Sequence, residues 1–344
     1  MKKTNRSHVR QTGKSVQVFK SGANLGSARL RAIPFALAIA FGSTSSFADP
    51  AGGAVAAGQA SISAMSGVTT IHQISDRAVV NWQSFNVNAG EAVKFIQPSS
   101  TAAILNRVTG GSVSNINGLV EGNGRVYLIN PNGIVVGANG VVNVNGGFVG
   151  STKSLADSAF MSGGALVFTG ESTGSIQILG KVQSAQGDVI LIAPKIAIEK
   201  TGSLIAGQTI KLVAANEVEL SNGKFTVKPK VGDAGQLTIE GALEAAKVQL
   251  AANNNNLGAL AINTTGTIRA TGSQTNPDGS VSIIATGDGG NINISGNIRS
   301  EKVDGNGGAV TVLADNNIRI SGIINANSTD SSRVGGDIYI GRDI

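Results

Sequence analysis

Short aliphatic runs cut by turn residues every few positions restrict this chain more than any other feature. Between Ala103 and Thr152 the runs Arg125-Val126-Tyr127-Leu128-Ile129, Ile134-Val135-Val136 and Val141-Val142-Asn143-Val144 are separated by glycine, asparagine and proline. Brief β-branched runs bounded by such residues read as strands. Glycine at this density rules out helix, since each one costs a helix about 1 kcal/mol relative to alanine. At the centre lies Asn130-Pro131-Asn132-Gly133. That order suits a type I β-turn: the first asparagine bonds nearby backbone, proline presets φ, and glycine releases the chain into the next strand.

The chain holds 47 glycines but ten phenylalanines and one tryptophan, Trp82. So few aromatics cannot fill a wide core, whereas Val, Ile, Leu and Ala fill a narrow one built of stacked coils. Repeats support this. Asn291-Ile292-Asn293-Ile294-Ser295-Gly296 recurs 26 residues later as Asn317-Ile318-Arg319-Ile320-Ser321-Gly322. Gly279-Ser280-Val281, Gly308-Ala309-Val310 and Gly336-Asp337-Ile338 form a second series, and Asp188 to Ala193 is echoed by Thr209 to Ala214. The expected fold is all-β: a right-handed parallel β-helix with small β elements outside it. At ~25 residues per coil it makes about a dozen coils, and at about 4.8 Å per layer the rod is roughly 55 to 60 Å long. Two stretches, Lys224 to Gly235 and Ala251 to Gly258, interrupt the pattern and read as loops, in preference to an edge hairpin and an asparagine ladder.

The pI of 9.6 suggests nucleic acid until the charges are placed. Of 27 Lys and Arg, eight precede Ala48 with no acidic residue among them, leaving 19 against 21 Asp and Glu. The remainder is slightly acidic, so no nucleic-acid partner is expected. The apolar run from Ala32 to Phe41 is too short to span a bilayer and leads to Ser46-Phe47-Ala48 before Asp49-Pro50. This is a signal peptide for the Sec translocon, with cleavage between Ala48 and Asp49. The chain has no cysteine, which excludes disulfides, thiol catalysis and cysteine metal sites and suits export in an extended state.

Three segments occur together: Asn81 to Val87 (NWQSFNV), Leu105 to Val108 (LNRV) and Gly118 to Gly140 (GLVEGNGRVYLINPNGIVVGANG). With them the chain resembles the amino-terminal secretion domain of the filamentous haemagglutinin family, the exoproteins of two-partner secretion, and within it the high-molecular-weight adhesins. The likeness is strong from Gly58 to Leu155, although the Asn-Pro-Asn-Leu tetrapeptide of some members is absent. The resemblance implies a secreted, non-enzymatic exoprotein of a Gram-negative bacterium. It would pass the periplasm and an outer-membrane pore-forming transporter, then act in adhesion at a host or neighbouring-cell surface. Asn130, Pro131, Asn132 and Gly133 would be the secretion motif. The implied organisation is an extended signal peptide at 1–48, the secretion domain at 49–200 and further β-helix repeats at 201–344, the last of them cut by the chain's end.

Other readings find less support. His72 is the one histidine beyond the leader and alternates outward in Thr70-Ile71-His72-Gln73-Ile74, so neither a Ser-His-Asp triad nor a histidine metal site is expected. A β-helix polysaccharide lyase, or a polysaccharide-binding protein, could draw on Asp304, Asp315 and Arg319. Aspartates at turn starts, however, ordinarily bond their own backbone. A carrier for a carboxy-terminal toxin is a third alternative. No catalytic, cofactor-binding or metal-binding residue is assigned.

Overall fold

A strand with alternating side chains is apolar on one side, and this chain buries that side by winding around itself. The computed structural model describes residues 50–230, 232–328 and 330–342; the expected cleavage pair, Ala48 and Asp49, lies outside them. Among the described residues each complete coil has three strands, one per face of the rod, while the first and last coils lack a strand on the third face. The first face stacks Val68–Gln73, Ala92–Ile96, Leu119–Gly122, Val141–Val144, Lys181–Ser184, the leading halves of Ser203–Ala214 and Ala242–Asn253, Thr267–Ala270, Asn297–Ser300 and Ile323–Asn325, all parallel. The second face runs likewise from Arg77–Trp82 to Ile338–Gly341, and the third from Ser114–Ile116 to Ile318–Ile320. A single apolar core follows the axis from Ile71 to Ala326. This is a parallel β-helix.

The first face has ten layers, so at about 4.8 Å each the rod is roughly 45 Å long. The expected dozen is an overcount, because 152–174 and 215–235 leave the coil and add no layer. The repeats themselves fall one coil apart and in register. Ile292 lies on Ile318, Val281 on Val310 and Val310 on Ile338, and Val189 on Ile210. The recurrent Ser-Gly has a steric cause at the corner between third and first faces. A Cβ on Gly241, Gly266, Gly296 or Gly322 would come within 2.0–2.1 Å of the carbonyl oxygen of the glycine one coil earlier, an overlap that only glycine avoids.

Before the first coil the chain makes a reversed lap. Pro50–Ala51, Ala54–Ala57 and Ala60–Met65 pair antiparallel with Ser84–Phe85, Arg77–Trp82 and Val68–Gln73. The lap covers the leading edge of the rod, whose open hydrogen-bonding groups would otherwise invite another chain.

The two departing segments meet again outside the second face. Ser154–Leu155, Leu166–Thr169, Val218–Ser221 and Lys224–Val227 form a four-stranded antiparallel sheet. Lys224–Val227 is thus a hairpin strand and not the expected loop, held because Phe225 and Val227 pack on a second core. Ala251 to Asn253 ends a long strand instead of opening a loop, since Ala251 and Ala252 are buried on its two sides. The second core joins outward residues of the coil (Leu105, Tyr127, Ile129, Ile192) to Leu155, Phe160 and Phe168 above them. Phe160 belongs to a six-residue helix, Asp157–Ser162, which Gly163 ends at φ 75°.

Candidate functional site

Asn130 to Gly133 turns the corner from the second face, after Arg125–Ile129, to the third, before Ile134–Val136. The Gly133 N–H donates to the Asn130 carbonyl at 3.1 Å, closing a β-turn, and Gly133 takes φ 127°, where any side chain is strained. The Asn130 side chain is fully buried and works across coils as well as locally. Its Oδ1 accepts from Asn132 N at 2.9 Å, while its Nδ2 donates to the Ser112 carbonyl and Ser114 Oγ, both at 2.9 Å, in the coil before. Asn132 Nδ2 reaches the Gly110 carbonyl at 2.8 Å. Toward the coil after, Asn130 N donates to the Ser151 carbonyl and Ser172 Oγ donates to the Pro131 carbonyl. Segment 152–174 therefore leaves and rejoins the rod at residues bonded to this turn.

The other motif segments are tied together nearby. Asn106 is fully buried inside the rod, where an unpaired amide is costly. It accepts from Trp82 Nε1 at 3.0 Å and donates to the Tyr127 carbonyl at 3.2 Å, which joins NWQSFNV to LNRV. Arg107, pointing outward, donates to the Leu155 carbonyl at 2.5 Å and pairs with Asp157 at 2.6 Å. Alternation along four residues thus sends Asn106 into the axis and Arg107 to the helix above the second face.

One buried charge gave no signal in the sequence. Lys153 is 0 % exposed, and its Nζ donates to the carbonyls of Gly170 and Ser172 and to Asn216 Oδ1, at 2.8–2.9 Å. Asn216 in turn bonds Asp233, which also accepts from Asn253 Nδ2 and Lys230 N. Lys153 thereby ties the first departing segment to the second. Burial lowers its pKa, opposed by the charges of Glu171 and Asp233. Nothing in Ser151-Thr152-Lys153 announces this, because its partners lie 17, 19 and 63 residues along the chain.

The candidate catalytic groups stay apart. His72 is exposed on the outer side of its strand. Asp304 accepts from Asn306 N in its own turn, Asp315 accepts from Gly287 N at another corner, and Arg319 is exposed on the third face. Among the described residues no three His, Asp or Glu side chains are placed to hold a metal ion.

Residues 46–338 match the TPS secretion domain family. The chain belongs to that family. Its fold is also that of two solved secretion domains. One is the HMW1 secretion domain from Haemophilus influenzae, with TM-score 0.59 at 22% identity over 85% of this chain and 100% of that one. The other is the filamentous hemagglutinin secretion domain, with TM-score 0.56 at 15% identity over 84% and 99%. Two relatives are each named heme/hemopexin-binding protein of Haemophilus influenzae. One is 39% identical over 106 residues and the other 44% over 86. These stretches cover 31% and 25% of this chain, which spans only 12% and 9% of the relatives' length. The TPS secretion domain described here is therefore that of a two-partner secretion exoprotein, and an outer-membrane transporter is its counterpart.

Proposed function

We propose that this TPS secretion domain starts export through the turn Asn130 to Gly133, which acts through the shape it gives the corner. The hydrogen bonds of that turn to the coils on both sides support this reading. Export of an extended chain that winds up outside needs early coils with a fixed register, because a slip of one residue turns aliphatics to solvent. The exoprotein then serves, without catalysis, in adhesion or surface interaction with a host or neighbouring cell. The names of the two relatives make heme and hemopexin ligands to include among the partners. Ala48 and Asp49 are the proposed cleavage pair behind a leader at 1–48 handled by the Sec translocon, with passage through the periplasm; 49–200 is the proposed secretion unit and 201–344 its continuation.

The test is to express the double variant Asn130→Ala, Pro131→Ala beside the transporter and compare culture supernatant with periplasm. Retention in the periplasm is expected, together with slower refolding of the purified variant. Secretion equal to wild type would remove the turn from the export mechanism. Retention of a variant that refolds normally would indicate direct recognition of these side chains by the transporter and overturn the shape argument. Amino-terminal sequencing of the secreted protein should begin at Asp49.

A further inference from the structure

Above the second face, between the helix end and the hairpin tip, lie two adjoining cavities of about 310 and 190 Å³ that share Arg125, Tyr127 and Asp188. The smaller is also lined by Arg77, Lys211 and Lys224. Four cations thus face one carboxylate. Asp188 is committed to Lys211, at 2.5 Å from its Nζ, and to Thr209 N at 3.0 Å. Arg77 donates to the Phe160 carbonyl at 2.9 Å and lies 5.3 Å over the Phe160 ring, so it is fixed in place without being neutralised. Among the described residues Arg77, Arg125 and Lys224 enter no ion pair.

Tyr127 supplies an independent observation. It is 8 % exposed, its ring packs edge-on against Phe160 at 5.1 Å, and it lines both cavities. Among the described residues its hydroxyl makes no hydrogen bond, and its oxygen is not sealed from solvent, so the O–H is accessible and free to donate to a ligand in the cleft. A free phenol donor beside three cations outside any ion pair suits an acceptor that carries negative charge. We propose that this cleft binds the phosphate group of a small phosphate monoester. Three unbalanced charges suit a dianion better than a carboxylate. Guanidinium forks match the oxygens of phosphate, and the Tyr127 O–H donates to a further oxygen. Leu166, Ile190 and Leu220 form apolar walls beside these groups, where the organic part of the ester, such as a sugar ring, can lie. The Tyr127 pKa is raised by burial, against the lowering influence of Arg125 and Arg77, which keeps the phenol protonated as a donor.

The test is calorimetric titration of the purified secreted chain with glucose 6-phosphate, inorganic phosphate, glucose and acetate at matched ionic strength. Glucose 6-phosphate is expected to bind more tightly than inorganic phosphate, and glucose and acetate not at all. Affinity should rise as pH passes about 6, where a phosphate monoester takes its second charge. Arg125→Gln with Lys224→Gln, both at exposed positions, should fold normally and weaken binding at least tenfold, and Tyr127→Phe should weaken it severalfold. Absence of binding at about 10 mM, a Kd regime worth under 3 kcal/mol, would overturn the proposal, as would affinity unchanged in the double variant. Equal affinity for inorganic phosphate and glucose 6-phosphate would overturn the ester and leave a bare oxyanion site.

Discussion

Replacing Asn130 by alanine tests how the coils are held together. The side chain is 0 % exposed. It donates to the Ser112 carbonyl and Ser114 Oγ and accepts from both the backbone N–H and the Nδ2 of Asn132. A purely local turn would lose about 1 kcal/mol, the net worth of one ordinary hydrogen bond. Here the truncation also strands the Ser114 hydroxyl, which is fully buried, and a buried polar group left without a partner costs about 1–3 kcal/mol. The expected loss is therefore about 2–4 kcal/mol, a large share of a total stability of roughly 5–15 kcal/mol. Asn132→Ala is the control. That side chain is exposed, so water replaces its partners and the loss should stay below about 1 kcal/mol. Asn130→Asp keeps the acceptor, loses both donors and sets a carboxylate against the Ser112 carbonyl, so it should cost at least as much as alanine. Urea unfolding of the purified secreted chain, followed by intrinsic fluorescence, measures all three. If Asn130→Ala falls within about 0.5 kcal/mol of Asn132→Ala, a difference unfolding curves barely resolve, the bonds between coils contribute nothing net and the reasoning fails.

Trp82→Phe should cost about 1–3 kcal/mol beyond its lost ring area, because Asn106 Oδ1 stays in the axis without its donor; Trp82→Phe with Asn106→Leu should recover part of that loss in the same unfolding assay. Lys153→Met should speed hydrogen exchange across 152–174 and 215–235 together, since it removes the tie between them, and exchange confined to one segment would refute that tie. Burial lowers the Lys153 pKa, so the unfolded chain keeps this proton to higher pH than the folded one. The wild type should therefore gain stability as pH climbs toward the ordinary lysine value near 10.4, and Lys153→Met should abolish that gain. Tyr127 acts in the opposite sense: its pKa is raised, so its contribution is present below about 10 and lost above it, a fall that Tyr127→Phe should remove. The Glu217 carboxyl is held below its ordinary value by its hydrogen bond to Lys230, so it supports the Val218–Ser221 hairpin above about pH 4.3 and ceases to as pH falls through its folded value; exchange of hairpin amides should accelerate in acid, and less so in Glu217→Gln.

The sequence by itself determined the strand character, the axial core and the spacing of coils. Stacked coils place like residues on one another, so Ile292 over Ile318 and Gly296 over Gly322 are visible as a repeat before any coordinates exist. The turn at Asn130 was legible for the same reason, its chemistry being written in four adjacent letters. The layer count was not, because periodicity cannot show which residues leave the rod, and 152–174 and 215–235 carry strand-like letters of their own. For Lys224–Val227 the loop outranks the hairpin on local letters alone, because the strand that secures the hairpin's other arm, Leu166–Thr169, lies about fifty residues away. Lys153, Asp233 and the cleft around Tyr127 were out of reach altogether. The cleft takes residues from separate coils, a helix end and a hairpin tip. Local propensity acts over a few residues and stacking over one coil, whereas burial of a second core outside the second face is settled only when both departing segments fold back onto it.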